Sequence, residues 1–391
     1  MRWLRSSLVT TYVFVVALNI NMAGFYALAP TFKDDLGLSG TQRDVLFAGS
    51  GLAMLLAALP TGSLSDRFGA RRVSMVAMWL LVLSAVGHAV AVDFWSLLGA
   101  RIVFALAFTG MLTASMAWLS DSVDVVHRAR AIGGIMPSAA TGMLIGPYLA
   151  GALADASSIE LAYAVLAAIS LVPLVQSFWT PRIATRPVGG TPLAQMLRAL
   201  GQPVVAAAVI LNFLGIGIDV AINLLVPQQL DDNGLGAAAR GAILSGGGVV
   251  FVLTALLLLR RANGVVNLRT AALAATLMGL VLIPLAVSEA TVPQAVGTIV
   301  RGGIFALVFV VSYPLGALGA LAGGLAIGAS AGLMMLATGL GNTIGPITAG
   351  RIADGIGSGA FYALLAVIAV LAGAWMAWLS RRVSFRPADE G

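Results

Sequence analysis

Gly142-Met143-Leu144-Ile145-Gly146-Pro147-Tyr148-Leu149-Ala150-Gly151-Ala152-Leu153-Ala154-Asp155 is followed, later in the chain, by Gly341-Asn342-Thr343-Ile344-Gly345-Pro346-Ile347-Thr348-Ala349-Gly350-Arg351-Ile352-Ala353-Asp354. The glycines, the glycine-proline step, the alanine-glycine pair and the aspartate coincide at one offset, 199 residues (341−142 and 354−155), and Gly133 with Gly332 extends the match upstream. A repeat of about half the chain is far longer than the 20–50 residues of a solenoid unit. It points to two duplicated halves.

Composition says in what medium. Of 391 residues, 59% are hydrophobic and 10% charged, and the mean hydropathy is +0.98. Soluble domains carry about 25% charged residues, so a water-exposed globule is excluded. Apolar stretches of about 20 residues cross a bilayer. Twelve are expected, over 8–30, 45–62, 73–92, 95–119, 131–151, 161–179, 204–227, 242–259, 271–287, 293–314, 325–350 and 361–379. The corresponding domains are an N-terminal six-helix bundle (1–180), a connector (181–203) and a C-terminal bundle (204–391). Parallel repeats of this kind, related by an axis along the membrane normal, are one plan of secondary transporters.

With the N-terminus inside, sixteen of the 22 basic residues fall in cytoplasmic segments, four (Lys33, Arg43, Arg240, Arg351) fall outside, and Arg101 and Arg301 lie within spans. That split obeys the positive-inside rule and sets both termini in the cytoplasm, in an inner or plasma membrane. It also explains the net charge of +6 without a nucleic-acid partner. Trp3, Trp95, Trp118, Trp179 and Trp378 are expected near span ends, as an aromatic belt. The first span is too long for the core of a secretory signal. Its end, Pro30 with Asp34-Asp35 and Gly37-Leu38, recurs as Pro227 with Asp231-Asp232 and Gly234-Leu235, so it is expected to be retained. Within the connector, Leu193, Met196, Leu197 and Leu200 share one helical face. A short helix on the membrane surface and an ordinary packed linker fit equally well.

Between spans two and three stands Gly62-Ser63-Leu64-Ser65-Asp66-Arg67-Phe68-Gly69-Ala70-Arg71-Arg72. A glycine frees the turn, an aspartate can cap or pair, and the arginines hold the loop at the phosphate level. Here the chain resembles the major facilitator superfamily, whose loop signature has the form G-x-L-x-D-R-x-G-R-R, with Ala70 replacing one basic residue. The resemblance implies a twelve-helix, two-bundle fold and a latch role for Asp66, Arg67 and Arg71. The second half's Arg260-Arg261-Ala262-Asn263-Gly264 lacks the aspartate. The series Gly133, Gly142, Gly146, Pro147, Ala150 and Gly151 is similar to the family's antiporter signature, which implies export by exchange. Because Gly341, Gly345, Pro346 and Gly350 repeat it, close helix packing explains the pattern nearly as well.

Charges within spans are costly and mark function. There are three: Arg101, Arg301 at an offset of 200, and Asp219. Rise per residue puts Arg101 about 9 Å and Asp219 about 12 Å from the outer ends of their spans. Spans one, four, seven and ten line the central cavity in the resembling family, so the three charges could share one chamber. Asp219 is expected to carry a proton, with Arg101 and Arg301 tuning it or gripping an anionic group; a purely structural ion pair is the alternative. Asn19 and Asn223 are candidate cavity liners, although helix–helix hydrogen bonding is the commoner role of such residues.

Zero cysteines and two scattered histidines argue against a metal or disulfide, and no G-x-x-x-x-G-K segment appears. The expectation is a monomeric, cofactor-free, proton-coupled exporter of a small organic solute. An anion-uptake permease is the alternative and a non-transporting membrane sensor a minor one. An enzyme is not expected.

Overall fold

The computed structural model describes residues 2–122, 131, 134–180, 193–259, 262–325 and 327–383, which are helical apart from short connections. In hydrocarbon every backbone polar group must be satisfied within its own segment, which leaves the helix as the default for chains this apolar. Among the described residues nine helical stretches are long and apolar enough to cross a membrane. The other three expected spans coincide with the helices Gly40–Phe68, Ile135–Ala156 and Ile327–Ile356, whose sequences are richer in glycine, serine, threonine and proline.

Contacts divide the chain into two units, Met1–Gly190 with Leu230–Gly248, and Thr191–Gln229 with Val249–Gly391. The first contains α1 (Arg2–Asp35), α2 (Gly40–Phe68), α3 (Ala70–Ala89), α4 (Phe94–Gly110), a π-helical turn Met111–Ser115, α5 (Met116–Asp121), α6 (Ile135–Ala156) and α7 (Ile159–Ser177). Helix α1 lies against α6 and α7, and α3 against α4 and α7. Their core is built on Phe14, Leu18, Met78, Leu81, Phe104 and Trp118. Trp118 therefore does not join the expected belt; it is fully buried, whereas Trp95 is 73% and Trp179 75% exposed. A π turn takes up one extra residue, which rotates the succeeding helix by about 100° and brings Trp118 inward.

The second unit contains α8 (Leu193–Leu200), α9 (Pro203–Asp232), α10 (Ala237–Leu259), α11 (Ala262–Val265), α12 (Leu268–Leu280), α13 (Ile283–Val287), α14 (Thr291–Ala322), α15 (Ile327–Ile356) and α16 (Ser358–Arg382). The tip of α9 and the start of α10 cluster with the first unit. The expected span over 271–287 is two helices. Pro284 has no amide hydrogen, and its ring collides with the carbonyl four residues earlier, which is Leu280, where α12 ends. In the connector, α8 packs Met196 and Ala199 against Val205, Ala320 and Leu333 and leaves Leu197 60% exposed.

The repeat is visible in local geometry. α1 and α9 end alike, with Gly37 at φ 60° and Gly234 at φ 81°. Leu38 N–H reaches back to the Lys33 carbonyl at 2.8 Å, and Leu235 N–H to the Leu230 carbonyl at 3.0 Å. This six-residue closure needs a left-handed residue, which glycine adopts without a Cβ penalty.

The glycine-proline helices make equivalent contacts within their units. A methyl on Gly146 would lie 2.6 Å from the Ile20 carbonyl oxygen of α1, and one on Gly345 would lie 2.8 Å from the Gly217 carbonyl oxygen of α9. Backbone touches backbone at both places. Gly146→Val and Gly345→Val should each cost about 3 kcal/mol or more through overpacking, read as a lower unfolding temperature in detergent. Gly99→Ala, with nothing within 4 Å of the new methyl, should leave that temperature unchanged or raise it.

Candidate functional site

Asp219 and Asn223 stand four residues apart on α9 and so face the same way. Asn223 Nδ2 donates to Asp219 Oδ2 at 2.9 Å. From α14 the Arg301 guanidinium forms an ion pair with the Asp219 carboxylate, and Arg301 Nη1 also reaches the Asp219 carbonyl at 3.4 Å. All three residues are buried, Asp219 6% and Arg301 5% exposed, and Arg301 Nε has no partner among the described residues. Two opposite charges withdrawn from water hold each other in place, and losing either strands the other.

Arg101 is differently placed. It belongs to the first unit, in α4, and is 3% exposed. Its Nη2 donates to Ser50 Oγ at 3.3 Å, and its guanidinium sits 3.9 Å above the Phe25 ring and 5.1 Å from that of Phe104. Among the described residues no carboxylate pairs with it, and its Nε is unpartnered. Aromatic faces offset part of the cost of a buried cation. They do not cancel the charge. Nearby, the His88 ring stacks on Tyr163 with centroids 4.7 Å apart. His88 Nδ1 lies 2.8 Å from the Ser84 carbonyl, an arrangement in which Nδ1–H donates. Among the described residues His88 Nε2 and the Tyr163 hydroxyl have no hydrogen-bond partner.

The structure thus brings Asp219, Arg301 and Asn223 together, with Arg101 in the other unit. Asn19 is not among them; its Nδ2 donates to the Val15 carbonyl of its own helix at 2.8 Å, beside Gly142. Ser50, Phe25, His88 and Tyr163, all gathered around Arg101, carried no sequence signal, because neutral residues in an all-apolar span leave no pattern.

In the 62–72 loop, Gly69 at φ 90° closes α2 by donating its N–H to the Ser65 carbonyl at 2.9 Å, and it starts α3. Arg71 donates from Nη2 to the Ser177 carbonyl at 2.8 Å and from Nε to Thr180 Oγ1 at 3.1 Å. A cation there suits the carbonyl-rich end of α7 and ties α3 to α7 inside one unit. Arg67 and Arg72 are exposed, and the Arg67 guanidinium sits 5.3 Å from the Phe68 ring. The surroundings of Gly62 and Asp66, and the whole of Gly133, lie outside the described residues. Pro147, Gly151, Gly341, Pro346 and Gly350 are buried in α6 and α15.

A chain of long apolar helices with a few buried charges and an apolar exterior is a multi-pass membrane protein. Residues 9–331 match the family model described as Major Facilitator Superfamily, and the chain belongs to that family. It is 27% identical over 182 residues to "Multidrug resistance protein 1" of Bacillus subtilis (strain 168), covering 45% of this chain and 44% of that protein. It is 30% identical over 178 residues to the "Hexuronate transporter" of the same organism, covering 45% and 41%. The chain thus matches less than half the length of these relatives. In fold it is similar to a solved "POT family transporter in complex with thioalcohol conjugated peptide", with a TM-score of 0.79 over 97% of this chain and 96% of that one, at 11% identity.

Breaking the α9–α14 pair from one side should be costly. Arg301→Ala leaves an uncompensated buried carboxylate, a loss of about 3–5 kcal/mol. Adding Asp219→Asn should restore most of the lost thermal stability. Equal losses in single and double variants would show that the two charges do not depend on each other.

Proposed function

We propose that the protein is a secondary transporter that moves a small organic solute across the bilayer by alternating access, exporting it in exchange for protons. The observation that carries this reading is the buried Asp219–Arg301 pair with Asn223 on the same carboxylate. A carboxylate in such surroundings is stable when an arginine neutralises it or when a proton does. Exchange of one for the other frees Arg301 and changes what α9 and α14 hold in common. That is the kind of bistable element a proton-coupled cycle needs. The family membership and the multidrug-resistance relative support export. An inner membrane, with both termini in the cytoplasm, fits the charge count.

A second reading, uptake of an organic anion, is favoured by one observation. Arg101 is a buried cation with aromatic faces and a hydroxyl around it but no carboxylate among the described residues. An anionic solute group would supply the missing charge, and a hexuronate transporter is among the relatives.

Solute counterflow in liposomes, with and without a pH gradient, separates the two. For proton-coupled export, Asp219→Asn should abolish the response to the gradient while leaving the protein folded and gradient-free exchange measurable. An unchanged gradient response would refute the role given to Asp219. For anion uptake, Arg101→Gln should raise the KM for carboxylate solutes and leave neutral ones unaffected.

A further inference from the structure

Helix α14 carries a polar face that the repeat does not supply. Gln294, Thr298 and Arg301 stand at i, i+4 and i+7, so they share one side of the helix over two turns, about 10 Å. Gln294 and Thr298 are 0% exposed and Arg301 5%. Among the described residues, Gln294 Oε1, Thr298 Oγ1 and Arg301 Nε each have no hydrogen-bond partner. A threonine inside a helix usually gives its hydroxyl to the carbonyl one turn back. Thr298 does not. Keeping such atoms dry is costly, and buried water is what ordinarily satisfies them.

One end of this file meets the surface. Gln294 Nε2 donates to the Ser288 carbonyl at 2.8 Å and lies 3.5 Å from that of Leu285. It therefore sits beneath the connection between α13 and α14, where Glu289 and Ala290 are exposed. On the topology that the charge count supports, this is the outer end. The Ser358 hydroxyl at the start of α16 donates to the Glu289 carboxylate. One turn further, the Tyr362 hydroxyl donates to Gln229 Oε1 at 3.5 Å, and Gln229 Nε2 has no partner among the described residues. The charges of Glu289 and of Arg301 both act on Tyr362, so the rim carboxylate and the buried guanidinium belong to one neighbourhood.

The other end is closed. Arg301 holds Asp219, and Phe305 and Val308, which continue the same face, are apolar and buried. A polar path that stops at the ion pair reaches Asp219 from one end of the unit only. A path running through would leak protons.

The first half lacks the counterpart. At the 200-residue offset that relates Arg301 to Arg101, Gln294 and Thr298 correspond to Phe94 and Leu98 of α4. At the 197-residue offset Asp219 corresponds to Met22. The polar file and the carboxylate it leads to are present in one half and replaced together in the other.

We propose that Gln294, Thr298 and Arg301 line a file of buried water, inside the second unit, that gives protons from the α13–α14 end access to the Asp219–Arg301 pair. A proton passed along hydrogen-bonded water ends on the Asp219 carboxylate, which becomes neutral and releases Arg301, still charged. The water file stands on the geometry; its service to transport rests on the proton-coupled reading. Thr298→Val removes an oxygen without a protein partner, so it should not lower the unfolding temperature. Hydrogen–deuterium exchange at the Arg301 Nε–H, followed by NMR on full-length protein with isotope-labelled arginine in detergent, tests the file. Thr298→Val should slow that exchange by about tenfold, whereas Thr298→Ser, which keeps the hydroxyl, should leave it as in the unsubstituted protein. The Arg101 Nε–H, buried in the first unit, is the control and should not change. Equal exchange in the unsubstituted protein and in Thr298→Val overturns the proposal, as does equal slowing by valine and serine. Gln294→Met, read by the same exchange, stands in if Thr298→Val does not fold. In liposomes, Thr298→Val should reduce the gradient response of counterflow about tenfold relative to gradient-free exchange. A response that holds while the Arg301 exchange slows overturns the proton role. An unsubstituted protein without any gradient response ends the proton-coupled reading, and the exchange at Arg301 still decides whether water reaches the pair.

Discussion

Helices in a bilayer gain nothing from hiding apolar surface from one another, because lipid tails are as apolar as leucine. What holds them is close approach, and close approach requires that no side chain stand between two backbones. The contacts Gly146–Ile20 and Gly345–Gly217 meet that requirement at equivalent places in the two repeats. The contact between Gly151 and Ala237 meets it again. The other interactions are arranged around these seams: Asn19 sits beside the α1–α6 seam, and Asp219 lies two residues past Gly217 on the α9–α15 seam.

The charges divide unequally between the two scaffolds. The repeat set an arginine in α4 and another in α14, but α9 has Asp219 where the 197-residue offset puts Met22 in α1. Arg301 is therefore neutralised within its unit, and Arg101 is surrounded by Phe25, Phe104 and Ser50. Two duplicated halves have become chemically different sites. One holds a buried ion pair, and the other a buried cation that no carboxylate pairs with among the described residues.

Polar contacts also govern the ends of the helices. α1 and α9 finish in the same glycine turn, and the hairpin after α9 is met by an aspartate from α6 and sends an arginine to α1. Arg71, for its part, ties α3 to α7.

Hydrophobic patterning limits how much of this was legible in the residues. Mean hydropathy, the 199-residue repeat and the arginine distribution determined a duplicated helical membrane protein. The glycine-proline series marked the seams, and the rarity of charge within spans singled out Asp219, Arg101 and Arg301. Facing was not legible, because a helix apolar on every side has no periodicity to say which way a residue points. Only the tertiary structure decided that Asp219 pairs with Arg301, 82 residues away, that Trp118 turns inward past a π turn, and that Leu230–Gly248 packs with the first unit.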